Sequence, residues 1–269
     1  MFIILDILAA RGGASLHARG RASTIALLNE LPMGCAGPML EIGCGTGETA
    51  VQLCGYRGTV VAADASALML RSAVDRSKWC GVRPRIQPVQ VSRDGKLPFA
   101  TSAFAAVVIE SVLAIQGSDT LRPLVREIGR VVKPRGRVLI NETVWMEETP
   151  RHLAEEINQR AAESAGLIQA VVAPFDVHDW VELFETSGLS LIRKQRLDDL
   201  ESDSALRQEG RSLIIRSRAF TAWRRLRALM TSEGVANQKR LKRVLAELAP
   251  PSPCMEGILF VLELSNQRE

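Results

Sequence analysis

Three glycines and a nearby carboxylate are the first residues in this chain whose types and spacing could do chemistry. Residues 39–50 read MLEIGCGTGETA, with a glycine at every second position from Gly43 to Gly47 and an acid, Glu41, just before them. Glycine has no Cβ, so such a loop lets the backbone approach a bound molecule closely. The stretch predicts a small-molecule site where a strand passes into a helix. The site residues that it supplies are Glu41, Gly43, Cys44, Gly45 and Gly47.

A second carboxylate follows at the end of the next strand-like run. Asp64 ends VVAAD, 21 positions after Gly43. A carboxylate there can accept hydrogen bonds from both hydroxyls of a ribose, which is a strong charge-assisted interaction. NAD enzymes use the same position, so a dinucleotide and another nucleoside both remain candidate ligands. The dinucleotide pattern GxGxxG would place its third glycine on Glu48, and this departure counts against NAD(P).

The elements that must position these residues alternate between strands and helices. The strand-like runs include PMLEIG, TVVAAD, PRIQPVQV, FAAVVIE and RVLINETV, and helix-like segments separate most of them. Such alternation predicts right-handed βαβ units and a parallel sheet covered on both faces. We therefore predict one Rossmann-like, doubly wound α/β domain over residues 1–269. Its cofactor-binding core is expected at 38–142, with helical cap insertions that form the acceptor pocket at 144–180 and 200–255.

Four stretches in order resemble the class I S-adenosylmethionine-dependent methyltransferases, of the small-molecule type similar to methyltransferase-11 and UbiE proteins. The stretches are MLEIGCGTG, DASALML, DGKLPFATSAF and REIGRVVKPRGRVLI, within roughly residues 38–142. One departure is Arg135, which stands where the family commonly has a glycine. The resemblance implies S-adenosyl-L-methionine as cofactor. It also implies a seven-stranded, mostly parallel sheet whose last strand, here GILFVLEL, is antiparallel.

The resemblance further implies roles for single residues. The glycines would give room for the methionyl and ribose parts of the cofactor, and Asp64 would bind the ribose. Met69 would pack against the adenine, although an ordinary core position is nearly as good an explanation. Asp94 and Gly95 would lie near the adenine edge. The expected cofactor-binding residues beyond the glycine stretch are Asp64, Ala65, Met69, Asp94, Gly95, Glu110 and Ser111.

Methyl transfer from a sulfonium is an in-line displacement that requires no metal and no covalent intermediate. Most of the rate can come from holding the acceptor in line with the methyl group, and a base matters only where the acceptor loses a proton. Sites in open α/β sheets lie beyond the carboxyl ends of the strands, where Glu110 and Glu142 are expected. Glu110 is the first candidate to face donor or acceptor, with a solvated acid as the alternative. His178, in PFDVHDW, is the candidate base, with a helix-start residue as its ordinary alternative.

Composition narrows the class of protein and its compartment. The five cysteines form no CxxC pair and no Cys/His cluster, which favours reduced thiols in the cytoplasm and no metal site. Aromatic residues make up 4% of the chain, with Tyr56 the single tyrosine, so neither a base-stacking nucleic-acid site nor a catalytic tyrosine is expected. The apolar N-terminus MFIILDILAARGG is interrupted by Asp6 and does not resemble a signal peptide. We expect it to form a short strand or helix that covers the ligand site, and we expect a small or medium organic acceptor.

The basic segment 207–243 raises a separate question. Residues 201–250 hold eleven Lys or Arg and five acids, a surplus of six that exceeds the net charge of +4 for the whole chain. The favoured interpretation is a cap helix packed on the core with a solvated basic face. Contact with an anionic membrane is second, and a nucleic-acid surface is third. Apolar residues recur at helical spacing here, at Ile215, Ala219, Ala222, Leu226 and Leu229.

Overall fold

Seven strands form a single sheet in the computed structural model of this protein. The structure describes residues 3–13, 20–32, 37–56, 58–200, 211–248 and 253–265. The strands are β1 (Met39–Ile42), β2 (Val60–Asp64), β3 (Ile86–Gln90), β4 (Phe104–Glu110), β5 (Val132–Trp145), β6 (Leu189–Arg196) and β7 (Met255–Leu264). Their order is β3-β2-β1-β4-β5-β7-β6, and β7 runs antiparallel to both of its neighbours while the pairs among β1 to β5 are parallel. The predicted fold class is confirmed.

Helices cover both faces of this sheet and build a cap above one end. They are α1 (Ile3–Ala10), α2 (Arg21–Asn29), α3 (Glu48–Leu53), α4 (Ala67–Cys80), α5 (Ser118–Val131), α6 (Arg151–Ala165), α7 (Val177–Thr186), α8 (Arg211–Leu229) and α9 (Ser232–Leu248). In the cap, α8 packs on α3 and α4, and α9 packs on α1, α6 and α8. No helix within the described ranges is long and apolar enough to cross a bilayer.

Strand β4 shows why the sheet is covered on both sides. Its side chains alternate between two apolar clusters, with Val107 and Ile109 in one and Ala106 and Val108 in the other, and all four are fully buried. Helices α5 and α7 contribute to the first cluster, and α2, α3 and α4 contribute to the second. The continuous apolar run FAAVVIE is therefore the central strand that its composition predicts.

Among the N-caps that the structure describes, side chains cap α4 and α7. Ser66 caps α4, because its Oγ accepts a hydrogen bond from the Met69 N–H at 3.3 Å. Helix α5 begins after Gly117, which makes no side-chain cap, so the neighbouring Ser118 is not its N-cap. Helix α5 also ends earlier than Pro134 suggests, because β5 already begins at Val132. Arg135 lies near the start of β5 with φ 62°, a conformation that a glycine would adopt without strain.

Candidate active site

A cavity of about 510 Å³ lies beyond the carboxyl ends of the first five strands. Carboxylates dominate its charged lining, which also holds Arg93 and Lys96. The acids in the wall are Glu41, Glu48, Asp64, Glu110 and Glu142. Such a wall suits a ligand that carries positive charge, because the carboxylates repel one another when no cation lies between them.

The three glycines of the loop between β1 and α3 differ in the space around them. A Cβ added at Gly45 would meet nothing within 4 Å, so this position faces open cavity. A Cβ at Gly43 would overlap the Cγ2 of Val112, and one at Gly47 would lie 2.8 Å from the Cβ of Ala73. Only Gly45 therefore leaves room for a ligand. Gly43 and Gly47 leave room for the chain itself, which refines the expectation that all three glycines serve the cofactor.

Asp64 fixes the shape of this loop from the end of β2. Its Oδ2 accepts the N–H of Gly45 at 2.8 Å, and its Oδ1 accepts the N–H of Ser66 at 2.8 Å. Burial raises the pKa of the Asp64 carboxyl, and these two backbone hydrogen bonds oppose that rise. The carboxylate lines the cavity and keeps lone pairs for a ligand, since two oxygens offer about four acceptor sites.

Glu110 is held in the cavity wall by donors from three other elements. Thr49 Oγ1 donates to its Oε1 at 2.7 Å, Thr24 Oγ1 donates to its Oε2 at 2.9 Å, and Asn141 Nδ2 donates to Oε2 at 3.3 Å. The expected place of Glu110 at the site is thus observed. Thr24 and Thr49 were not among the predicted site residues. Thr24 lies outside the recognised stretches, and Thr49 lies in the glycine stretch but is neither a glycine nor an acid of its pattern.

Two further acids belong to the same wall. Burial, followed by the charges of Glu110 and Asp64, raises the pKa of Glu41 well above its usual range. The Oε2 of Glu41 is buried and has no hydrogen-bond partner among the residues that the structure describes. Burial also raises the pKa of Glu142 to about 7, against the hydrogen bonds that its carboxylate accepts from the backbone. Those bonds come from the N–H groups of residues 112–114 at 2.6 to 3.3 Å, so Glu142 shapes the loop after β4.

Two predicted site residues lie elsewhere. Asp94 is exposed and absent from the cavity lining, because its Oδ1 accepts the N–H of Lys96 at 3.0 Å and closes its own turn. His178 is exposed in the first turn of α7, where its backbone N–H donates to the capping carboxylate of Asp176 at 2.8 Å. The structure corrects both predictions, and His178 has the ordinary helix-start role. The other predicted residues line the cavity: Glu41, Gly43, Cys44, Gly45, Asp64, Ala65, Met69, Gly95, Glu110 and Ser111, with Gly47 packed behind them.

The cap supplies an apolar wall opposite the carboxylates. Leu5 and Leu8 of α1 line the cavity, as expected for an N-terminal segment that covers the ligand site. Leu241 and Leu245 of α9 line it as well, although no local sequence signal indicates this role for them. The cavity therefore has a charged side on the sheet and an apolar side on the cap.

Arg76 ties the cap to the glycine loop. This α4 side chain is fully buried, and burial lowers the pKa of its guanidinium to about 10. It donates hydrogen bonds of 2.7 to 3.1 Å to Thr46 in the loop, to Gly12 after α1, and to Ser217 and Thr221 on α8. The accepting atoms are Thr46 O and Oγ1, Gly12 O, Ser217 O and Oγ, and Thr221 Oγ1. One side chain thus joins three segments that are far apart in sequence.

The Arg76→Met variant should lower the free energy of unfolding by about 3 kcal/mol, because it leaves buried acceptors in all three segments without a donor. Urea unfolding followed by far-UV circular dichroism measures the change. Arg71→Met is the matched control, since Arg71 lies on the same helix and is exposed. Equal stability of the two variants would show that the Arg76 network contributes nothing to the fold.

Comparison with known proteins agrees with this geometry. Residues 39–136 match the family model described as a methyltransferase domain. An uncharacterized methyltransferase of Bacillus subtilis, YodH, is 31% identical over 146 residues, which are 54% of this chain and 60% of that protein. The ubiquinone/menaquinone biosynthesis C-methyltransferase UbiE of Syntrophotalea carbinolica is 33% identical over 120 residues, 44% of this chain and 48% of that protein. The matches thus span about half to three fifths of these curated relatives.

A solved structure extends the likeness to nearly the whole fold. The crystal structure of the [4+2]-cyclase SpnF superposes with a TM-score of 0.68 at 16% identity, covering 98% of this chain and 93% of that one. At this identity the likeness shows the fold alone. Since that protein is a cyclase, the shared fold does not determine the reaction of this chain, which depends on the residues of its site.

Proposed function

We propose that this chain is a class I S-adenosylmethionine-dependent methyltransferase, as its methyltransferase-domain match over residues 39–136 supports, and that it transfers a methyl group from S-adenosyl-L-methionine to a small or medium organic acceptor. The observation that carries the proposal is the open face at Gly45 within a cavity walled by carboxylates. When bound, the cofactor supplies an electrophilic methyl group on a positively charged sulfonium. The residues of the site would hold an acceptor in line with that methyl group.

The residues present fit this cofactor in charge and in shape. The pKa of Glu41 is raised partly because Glu110 and Asp64 lie near it, and a cationic ligand would offset that repulsion. The open face at Gly45 is a cradle that even a methyl group would begin to fill. A dinucleotide fits less well, since its diphosphate would add negative charge beside Glu48, which is buried in the first turn of α3. The NAD(P)-dependent oxidoreductase is therefore the less favoured alternative.

The residues of the chain would divide the work of binding and orientation. Asp64 would accept the ribose hydroxyls, and Met69 would pack on the adenine. Glu110 would face donor or acceptor as a fixed negative charge, since Thr24 and Thr49 already donate to its two oxygens. The leucines of α1 and α9 would keep water out of the apolar side. Most of the rate would then come from positioning.

We also propose a domain division, a cellular location and partners for this chain. Residues 38–142 would form the cofactor-binding core, and the insertions 144–180 and 200–255 would form the acceptor pocket within the single domain 1–269. The similarity to UbiE, a C-methyltransferase of ubiquinone and menaquinone biosynthesis, supports an organic acceptor. The described cysteines Cys44, Cys54, Cys80 and Cys254 are free and buried, which supports a cytoplasmic location. The partners we propose are the acceptor and, for the basic segment 207–243, an anionic membrane.

Calorimetry with three ligands tests the proposed cofactor. We expect S-adenosylmethionine and S-adenosylhomocysteine to bind with dissociation constants on the order of micromolar, and NAD not to bind. Preferential binding of NAD would refute the proposal. Release of S-adenosylhomocysteine in a screen of organic acceptors then tests turnover. Cofactor binding with no release for any acceptor would favour a binding protein that has no methyltransferase activity.

A further inference from the structure

The outer surface of α8 combines apolar and basic side chains. Ile215, Leu226 and Met230, just after the helix, are 66%, 63% and 80% exposed, although they lie in or beside the apolar stripe that a cap helix was expected to pack on the core. The buried side of α8 instead carries Ser217, Phe220 and Thr221. Helix α8 thus packs on the core and keeps a solvated basic face, as the favoured interpretation of the sequence has it, but its apolar stripe faces outward.

Arginines lie on both sides of this stripe. At 100° per residue, Arg218 and Arg225 fall along one edge and Arg216 and Arg227 along the other, and all four are exposed. Helix α8 contains six arginines and no acidic residue. We call this surface the α8 outer face. It comprises Arg211, Ile215, Arg216, Arg218, Ala219, Ala222, Arg225, Leu226, Arg227, Leu229 and Met230.

The helix is already held in place before it meets a partner. Arg76 bonds to Ser217 and Thr221 from below, and the rings of Trp79 and Trp223 stack with centroids 5.3 Å apart. The α8 outer face is therefore a preformed surface, and binding does not have to supply the ordering of the helix.

We propose that the α8 outer face docks on an anionic lipid bilayer. An apolar stripe between rows of arginine is the arrangement by which a helix lies in the membrane interface, with its apolar side chains in the acyl boundary and its cations at lipid phosphates. A second copy of the chain fits less well, because the five arginines of its α8 outer face would oppose five others. A nucleic acid would meet the arginines but leave the apolar stripe unused.

The docked bilayer would lie close to the cavity. Helix α9 packs against α8, and its residues Leu241 and Leu245 line the apolar side of the cavity. The helix that would dock on the bilayer is therefore in direct contact with a helix of the cavity wall. Docking does not depend on the methyl-transfer proposal, because vesicle binding can be measured without any cofactor.

Vesicle sedimentation tests the docking proposal. We expect the full chain to pellet with vesicles of phosphatidylcholine mixed with phosphatidylglycerol, to remain in solution with phosphatidylcholine alone, and to be released by high salt. Leu226→Asp should lower the partition coefficient by roughly tenfold or more, and so should the double variant Arg218→Gln/Arg225→Gln. The matched controls are Ile192→Asp and Arg126→Gln, which alter exposed residues of β6 and α5 and should bind like the unaltered chain.

Several results would overturn the docking proposal. They are no pelleting with the anionic vesicles, an equal loss in Ile192→Asp and Leu226→Asp, or pelleting that salt does not reverse. Two competing occupants are tested on the same proteins. A dimer in sedimentation velocity that Leu226→Asp dissolves, or tight binding of a single-stranded oligonucleotide without vesicle binding, would assign the α8 outer face to another partner. Thermal unfolding of each variant confirms that a lost signal does not come from a lost fold.

Discussion

Replacing Asp64 by alanine is expected to lower the affinity for S-adenosylhomocysteine by about 100-fold or more. Each charge-assisted hydrogen bond to a ribose hydroxyl contributes roughly 1.5 to 3 kcal/mol, and the variant loses both acceptors. It also loses the bonds from the N–H groups of Gly45 and Ser66, so the loop that must meet the cofactor is no longer fixed. Isothermal titration calorimetry measures the affinity of the variant and of the unaltered chain.

Asp94→Ala is the matched control for this experiment. The two aspartates were both expected to bind the cofactor, yet Asp94 closes its own exposed turn through the N–H of Lys96. Its removal should change the affinity by less than about threefold, since surface substitutions are commonly worth within 0.5 kcal/mol. An equal loss of affinity in the two variants would contradict the proposed site. Unchanged affinity in Asp64→Ala would contradict it as well. Circular dichroism shows whether each variant remains folded.

The contrast between Asp64 and Asp94 shows what the sequence can and cannot determine. Asp64 ends a buried strand, and the carboxyl ends of parallel strands share one edge of the sheet, so its place follows from topology. Asp94 and His178 lie in a turn and at a helix start. The carboxylate of Asp94 accepts a backbone N–H of its own turn, and His178 donates its backbone N–H to the capping carboxylate of Asp176. The residue type is the same in either role, and only the packing decides which way the side chain points.

The fold was predictable because its signals are local and repeated. A continuous apolar run predicts β4, and the alternation of strands and helices predicts the parallel sheet. Ser66 is a local signal for the start of α4. The donors around Glu110 had no such signal. Thr24 and Thr49 come from helices α2 and α3 and meet at the end of β4, and nothing in the sequence near either residue indicates that contact.

Helix α8 shows the limit of periodicity itself. A hydrophobic period of 3.6 residues identifies a stripe, and the usual inference is that the stripe faces the core. Here the core side is occupied by Phe220 and by two hydroxyl residues, Ser217 and Thr221, that accept hydrogen bonds from buried Arg76. Polar contacts thus replace apolar ones on the inner side. The helix and its stripe are therefore predictable from the sequence. The direction of the stripe depends on Arg76, which lies more than 130 positions away in the chain.

Gly45→Ala is expected to lower cofactor affinity by about 100-fold while leaving the fold largely intact. The added methyl group would meet no protein atom within 4 Å and would project into the space where the ligand has to lie. Intrusion of this kind commonly costs about 1 to 3 kcal/mol. The positive φ of 52° adds a conformational cost of about 1 kcal/mol to the folded state. Titration calorimetry and urea unfolding measure the two effects separately.

Gly47→Ala should show the opposite pattern. Its Cβ would lie 2.8 Å from the Cβ and 3.0 Å from the Cα of Ala73, and α4 cannot retreat from α3 without disturbing the core. With φ at 80°, we expect the free energy of unfolding to fall by about 3 kcal/mol. Cofactor affinity should change far less than in Gly45→Ala in the fraction that stays folded. If Gly45→Ala bound normally and Gly47→Ala lost affinity without losing stability, the open side of the loop would lie at Gly47, and the cofactor would have to be placed there instead.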